Sequence, residues 1–186
     1  MTAPAVVLTG APGSGKSTVG LVLAERLGVT FRDTDDDVEK VCGTTVAELV
    51  RRHGEGRFRE LEHDAVRTAL QEHDGVLALG GGAVLHPGTR RLLAAHRVVH
   101  LSTDLPTALA RIGTAATRPL LADDPERRLG ELFRIRGPIY RRLAVLTVDA
   151  GTGTPAETVD RLLLGLPEIP GAAAAQAAPA TTGATT

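Results

Sequence analysis

Gly10-Ala11-Pro12-Gly13-Ser14-Gly15-Lys16-Ser17 is the stretch that most limits what this chain can become. It fits the pattern G-x-x-x-x-G-K-[ST], and its flanks fit as well. Ala5–Thr9 reads as a short buried strand. Ser17–Leu27 reads as a helix, with Val19, Leu23 and Leu27 at helical spacing and Gly28 to end it. Strand, loop and helix in that order are what cradling a phosphate requires. Glycines at 10, 13 and 15 let the backbone curl so that successive N–H groups point inward at an anion, and the positive end of the helix faces the same anion. Lys16 adds a mobile charge for the β- and γ-phosphates, and the Ser17 hydroxyl is placed to ligate magnesium. Of the 21 basic residues only Lys16 and Lys40 are lysine, so a lysine at this position is not background composition. The plainer reading, a glycine-rich turn that happens to hold a lysine, leaves both flanks unexplained.

Composition narrows the company this loop keeps. At 186 residues the chain is long enough for one domain with a real core. Its net charge of −1 points away from nucleic acid and from anionic membrane surfaces. Aromatic residues make up 2%, with no tryptophan, which argues against stacking recognition of single strands. Cys42 is the single cysteine, so no intrachain disulfide forms, as suits a reducing cytosol. The N-terminus carries no basic region followed by an apolar run, and no apolar run approaches the ~18 residues of a membrane span. A cytoplasmic location is the expectation.

Further along, a second strand at about Thr30–Arg32 leads into Asp33-Thr34-Asp35-Asp36-Asp37. Acids here either cap a helix and favour its dipole, or serve a metal shell and a substrate hydroxyl at a strand end, where open parallel sheets bind ligands. Thr44 and Thr45 are N-cap candidates for a short helix over Val46–His53, and a longer helix follows over Gly56–Glu72. Arg59 and Glu62 lie one turn apart on it, either as a surface pair or as an arginine held by a glutamate and aimed at an anion. Val76–Leu79 is a third strand, and Gly80-Gly81-Gly82 directly after it permits close backbone approach to a ligand. A nucleotide hydrolase would usually place an aspartate at that strand end; glycine there moves the metal role to Asp33.

Thr89–Ala95 reads as a helix, Val98–Leu101 as a fourth strand, and Leu105–Ile112 as a helix capped by Asp104. The segment from Gly113 to Pro125 has small residues and no period. It reads either as a lid that brings Arg118 over the phosphates or as a surface loop with a solvated arginine. Pro125–Ile135 is expected to be helical, with Arg136-Gly137-Pro138-Ile139-Tyr140 breaking it and starting another turn. Val145–Asp149 is a fifth strand, and Thr154-Pro155 opens a last helix to about Leu166. Residues 1–168 are expected to form the domain, and 169–186 an Ala/Pro/Thr tail without a fold of its own. Five apolar strands alternating with helices imply a three-layer α/β/α fold around a five-stranded parallel sheet. The six histidines (53, 63, 73, 86, 96 and 100) lack metal-ligand spacing and read as structural or surface residues.

Taken together, Gly13-Ser14-Gly15-Lys16-Ser17-Thr18, Asp33-Thr34-Asp35, Phe58-Arg59-x-x-Glu62, Gly80-Gly81-Gly82-Ala83, Thr117-Arg118-Pro119-Leu120-Leu121 and Arg136-x-Pro138-x-Tyr140 resemble shikimate kinase over roughly residues 5–167. The resemblance implies a P-loop kinase fold similar to nucleoside monophosphate kinases. It also implies transfer of the γ-phosphate of ATP to the 3-hydroxyl of shikimate, on the route to chorismate and the aromatic amino acids. It further implies that Lys16, Asp35 and Arg118 are catalytic, with Asp35 on the substrate hydroxyls. ATP would meet Gly13, Ser14, Gly15, Lys16, Ser17 and Thr18, with Arg111 near the adenine and Arg118 closing over the phosphates. Shikimate would meet Asp35, Phe58, Arg59 and Arg136, together with Gly80, Gly81 and Gly82. Glu62 would orient Arg59, while Ser17 and Asp33 would hold Mg²⁺. The expected partners are shikimate and ATP, with no nucleic acid or membrane, and the expected state is a monomer. Two departures accompany the likeness: Gly153 stands where the family often has an adenine-side arginine, and Val50 where it often has a bulky aromatic. A gluconate kinase of the same fold, a regulatory nucleotide-binding module and an inactive homologue are the competing readings. A guanine-reading Asn-Lys-x-Asp is excluded, because the sequence has no asparagine.

Overall fold

Val6, Val7, Leu8 and Thr9 are fully buried, and a strand covered on both faces belongs at the centre of a parallel sheet flanked by helices. The computed structural model, which describes residues 3–112, 124–166 and 168–170, has that arrangement. In chain order the elements are β1 (Val6–Thr9), α1 (Lys16–Leu27), β2 (Phe31–Asp33), α2 (Thr34–Cys42), α3 (Val46–Glu72) and β3 (Val76–Ala78). A 3₁₀ turn (Ala83–Leu85) and α4 (Pro87–Leu93) follow, then β4 (Val98–Ser102), α5 (Leu105–Ile112), α6 (Pro125–Leu143), β5 (Leu146–Asp149) and α7 (Pro155–Gly165). The strands are parallel, in the order β2-β3-β1-β4-β5.

One face of the sheet is covered by α1 and α7, through Val19, Leu23, Val159, Leu162 and Leu163. The other is covered by α3, α4 and α6, through Val66, Ala69, Leu70, Leu93 and Tyr140. A smaller cluster of Val38, Leu49 and Phe58 ties α2 to α3. Because β2, β3 and β1 are neighbours, the segments leaving their C-terminal ends also lie side by side. Those segments are the acidic stretch from Asp33, the three glycines and the Lys16 loop.

The expected elements are present, with shifted ends. Three differences have physical causes. First, the expected break at 136–140 is absent: α6 runs unbroken from Pro125 to Leu143 with Pro138 inside it. Leu129, Arg136 and Tyr140 are buried on one helical face, while Arg134 and Pro138 lie on the exposed side. Tertiary burial of that face outweighs the roughly 3 kcal/mol that proline costs a helix interior. Second, the two helices expected at 46–53 and 56–72 form one element, kinked at Gly54, whose φ of 80° and ψ of 163° are not helical. Third, the buried set reaches Ile169, which is 2% exposed and packs into the α1–α7 side of the core, just past the expected boundary at 168. Residues 171–186 lie outside the described residues, as does 113–123 with Arg118.

Candidate functional site

The loop after β1 behaves as its glycines require. Gly13 (φ 79°) and Gly15 (φ 86°) take left-handed backbone, and Gly15 caps α1 with no side chain on its first N–H groups. Those donors are left for an anion. A side chain on Gly13 would press into the Ala108 backbone, so α5 backs the loop closely. Lys16 folds over its own loop, donating to the carbonyls of Gly10 (3.0 Å) and Ala11 (3.2 Å). The Ser17 hydroxyl donates to Asp33 Oδ2 at 2.9 Å. Asp33 Oδ1 accepts from the Asp35 N–H at 3.0 Å and so caps α2. Asp33 thus caps α2 through one carboxylate oxygen and pairs with the Ser17 hydroxyl through the other.

A cleft of about 550 Å³ opens above these groups, lined by Lys16, Ser17, Thr18, Asp33, Asp35 and Gly81 on one side. Across it stand Arg111, Gly153, Thr154, Pro155 and Thr158. Arg111 reaches the loop itself: its Nη1 lies 3.7 Å from where a Cβ on Gly15 would be. The edge around Gly153 is fixed without an arginine at that position. Asp149 Oδ1 accepts from Gly151 N–H (2.8 Å), and a Thr154–Glu157 capping box closes the start of α7. Arg161 Nη2 donates to the carbonyls of Asp149 (2.9 Å) and Thr152 (3.0 Å).

The three glycines separate this cleft from a charged cluster. Beta carbons on Gly80 and Gly82 would collide with side chains, which is why neither position carries one. At Gly80 the carboxylates of Asp35 and Glu62 close in; at Gly82 the Arg59 guanidinium does. Gly81 faces the other way, against Pro12 Cδ (3.3 Å from a notional Cβ) and the Gly10 carbonyl (3.4 Å). Arg59 is held on two sides, by Glu62 Oε2 at 2.6 Å and Glu55 Oε1 at 2.8 Å, so the anchored-arginine reading fits and an exposed surface pair does not. Burial lowers the Arg59 pKa, but the Glu62 and Glu55 carboxylates more than offset it, and the net movement is upward. Glu62 is 1% exposed; burial raises its carboxyl to about 7, with Arg59 and Arg136 pulling down and Asp35 pushing up. Arg136 reaches the same cluster from α6, 6% exposed, and its Nε has no hydrogen-bond partner among the described residues. Phe58, at 4% exposure, is packed with Val38 and Leu49, and the Arg59 guanidinium lies 5.0 Å from its ring centroid. The ring thus lies against the Arg59 guanidinium as well as within the apolar cluster. Val50 packs on the edge of that apolar cluster.

The family model for shikimate kinase matches residues 12–166. The chain is 52% identical to the shikimate kinase of Frankia casuarinae, covering 87% of this chain and 72% of that one. It is 50% identical to the shikimate kinase of Streptomyces coelicolor, covering 88% and 95%. This chain belongs to the shikimate kinase family. Its fold agrees with the solved shikimate kinase from Acinetobacter baumannii in complex with shikimate, at a TM-score of 0.83 and 34% identity over 88% of this chain and 92% of that one. It also agrees with the Aquifex aeolicus enzyme, at 0.76 and 29%.

Two side chains in this family member hold the glycine segment, and the sequence reading assigned neither a role. Thr34, fully buried, accepts from the Gly80 N–H through Oγ1 at 3.0 Å. Tyr140 donates from its hydroxyl to the Gly81 carbonyl at 2.5 Å. Both stand inside stretches that carried the family resemblance, Asp33-Thr34-Asp35 and Arg136-x-Pro138-x-Tyr140, and that membership was the available signal.

Proposed function

We propose that the chain transfers the γ-phosphate of ATP to the 3-hydroxyl of shikimate, giving shikimate 3-phosphate. The observation that carries this reading is the glycine segment. It joins a phosphate loop on one side to two arginines and two carboxylates on the other, so a nucleotide and a small anionic polyol can meet across it.

In this reading Gly13, Ser14, Gly15, Lys16, Ser17 and Thr18 bind the phosphates of ATP, and Arg111 lies on the adenine side. Lys16 exchanges the carbonyls of Gly10 and Ala11 for phosphate oxygens. Arg59 and Arg136 take the shikimate carboxylate as paired forks, with Phe58, against Arg59, walling the ring. The backbone of Gly80, Gly81 and Gly82 faces the ring hydroxyls, and Asp35 holds the 3-hydroxyl and accepts its proton as the new P–O bond forms. Arg118, outside the described residues, is proposed to cover the phosphates and stabilise charge in the transition state. Catalysis then rests mainly on positioning and charge neutralisation.

Magnesium fits the residues present. Ser17 Oγ and Asp33 Oδ2, 2.9 Å apart, are hard oxygen donors, and the described residues hold no group of three or more His, Cys, Asp or Glu side chains able to hold a metal. An ion that keeps waters and phosphate oxygens suits so sparse a donor set. When bound, Mg²⁺ would neutralise charge on the β- and γ-phosphates. The same reading has the chain act as a monomer in the cytoplasm, without nucleic acid or membrane; no helix among the described residues is long and apolar enough to cross one.

The test is ADP release from the purified protein with Mg–ATP, comparing shikimate, gluconate and no acceptor. Shikimate-dependent release that disappears in Asp35→Asn supports substrate and site together. Release driven by gluconate, or none with shikimate while ATP still binds, overturns the acceptor.

A further inference from the structure

Tyr140 is the chain's single tyrosine, it is 1% exposed, and the chemistry proposed above leaves it without a task. Its surroundings are unusual for a core ring. The hydroxyl donates to the Gly81 carbonyl at 2.5 Å, and Arg136 stands one helical turn earlier on α6, its positive charge acting on that hydroxyl. The ring stacks on His100, with centroids 5.3 Å apart and planes at 25°. His100 in turn pairs across the sheet with Thr9, the last residue before the Lys16 loop. One buried hydroxyl thus binds the peptide unit between the charged cluster and the nucleotide cleft, one helical turn from the arginine that acts on the same cluster.

We propose that Tyr140 is a positioning residue that fixes the span between Arg136 and the Gly80–Gly82 backbone, and with it the fit of an acceptor carrying a carboxylate and a ring hydroxyl at a set separation.

This inference rests on the shikimate reading above. An acceptor bound through its carboxylate at one end and its hydroxyls at the other is sensitive to that span, because a shift of about 1 Å at the hydroxyl is enough to lose a near-attack geometry. Nothing else among the described hydrogen bonds joins α6 to the glycine segment. Thr34 fixes the same segment from α2, through Gly80, so two different helices hold adjacent peptide units of it. Burial raises the Tyr140 hydroxyl to about 12, so it keeps its proton and remains a donor to the carbonyl across the working range.

Tyr140→Phe removes the hydroxyl and keeps the ring on His100. The KM for shikimate is expected to rise about tenfold, as for loss of a buried hydrogen bond coupled to a charged group. The KM for ATP and kcat at saturation are expected to stay within about twofold. A ring that only fills the core would give a different result: a lower Tm and a smaller active fraction, with the shikimate KM unchanged. Calorimetric titration of the variant with shikimate, counting only the folded fraction by its stoichiometry, keeps the comparison valid if part of the protein unfolds. An unchanged shikimate KM or Kd, or equal losses for shikimate and ATP, overturns the role of Tyr140. Failure of the wild-type protein to turn over shikimate at all overturns the substrate reading instead, so the two failures are distinct.

Discussion

Each charged residue of the acceptor cluster is held by neighbours that give it a separable, measurable consequence. Arg136 approaches from a different helix than Arg59, α6 rather than α3. Arg136→Ala should therefore raise the KM for shikimate roughly 10- to 100-fold while the KM for ATP holds, and steady-state kinetics on both substrates checks it. Lys16→Ala should act oppositely, lowering kcat by about 100-fold or more with a small change in shikimate affinity. Glu62 carries a pH dependence of stability. Burial raises its carboxyl to about 7 from 4.5, so the folded chain binds this proton more tightly than the unfolded one. That contribution is fully present below about pH 4.5 and is lost as pH rises through about 7. Urea unfolding of wild type and Glu62→Gln across this window should show the wild-type advantage shrinking by an amount on the order of 3 kcal/mol. A pH-independent difference between the two would contradict the assignment.

At the scale of elements, the informative cases are those where local propensity and packing disagree. In α6, Gly137-Pro138 is a breaker pair by local chemistry. The helix nevertheless continues, because Leu129, Arg136 and Tyr140 share one buried face. The period was present in the sequence but was outweighed by the proline. In α3 the reverse holds: Gly54 does break the helix, at a backbone conformation that a side chain tolerates poorly, although a Cβ there would meet nothing within 4 Å. Gly54→Ala should thus destabilise through backbone strain alone, by roughly 1–3 kcal/mol in urea unfolding. It should also reorient Arg59, five residues on, and raise the shikimate KM. The α7 start agrees with its sequence at every level: Thr154 at the cap, Pro155 next, Glu157 closing the box.

For the whole molecule, the glycine segment lies between the proposed nucleotide cleft, lined by the loop after β1, Arg111 of α5 and the start of α7, and the proposed acceptor cluster on α2, α3 and α6. Saturating ATP and shikimate should therefore raise Tm separately, each by mass action, and Arg136→Ala should abolish the shikimate shift while leaving that of ATP. The sequence by itself determined the phosphate loop, the five strands and the capped helix starts. These are local properties, read from runs of a few residues whose periodicity and turn chemistry need no distant partner. It also located Asp33, Asp35, Arg59, the three glycines and Arg136 through the family resemblance. What only the tertiary structure decided is how they meet. The order β2-β3-β1-β4-β5 lays three strand ends side by side. Glycines 80 and 82 make room for Asp35, Glu62 and Arg59 rather than for an unusual turn, and Glu62 is raised toward neutrality by burial. Thr34 and Tyr140 earn their places only through partners 46 and 59 residues away, a range at which side-chain chemistry is fixed by packing and leaves no periodic trace in the chain.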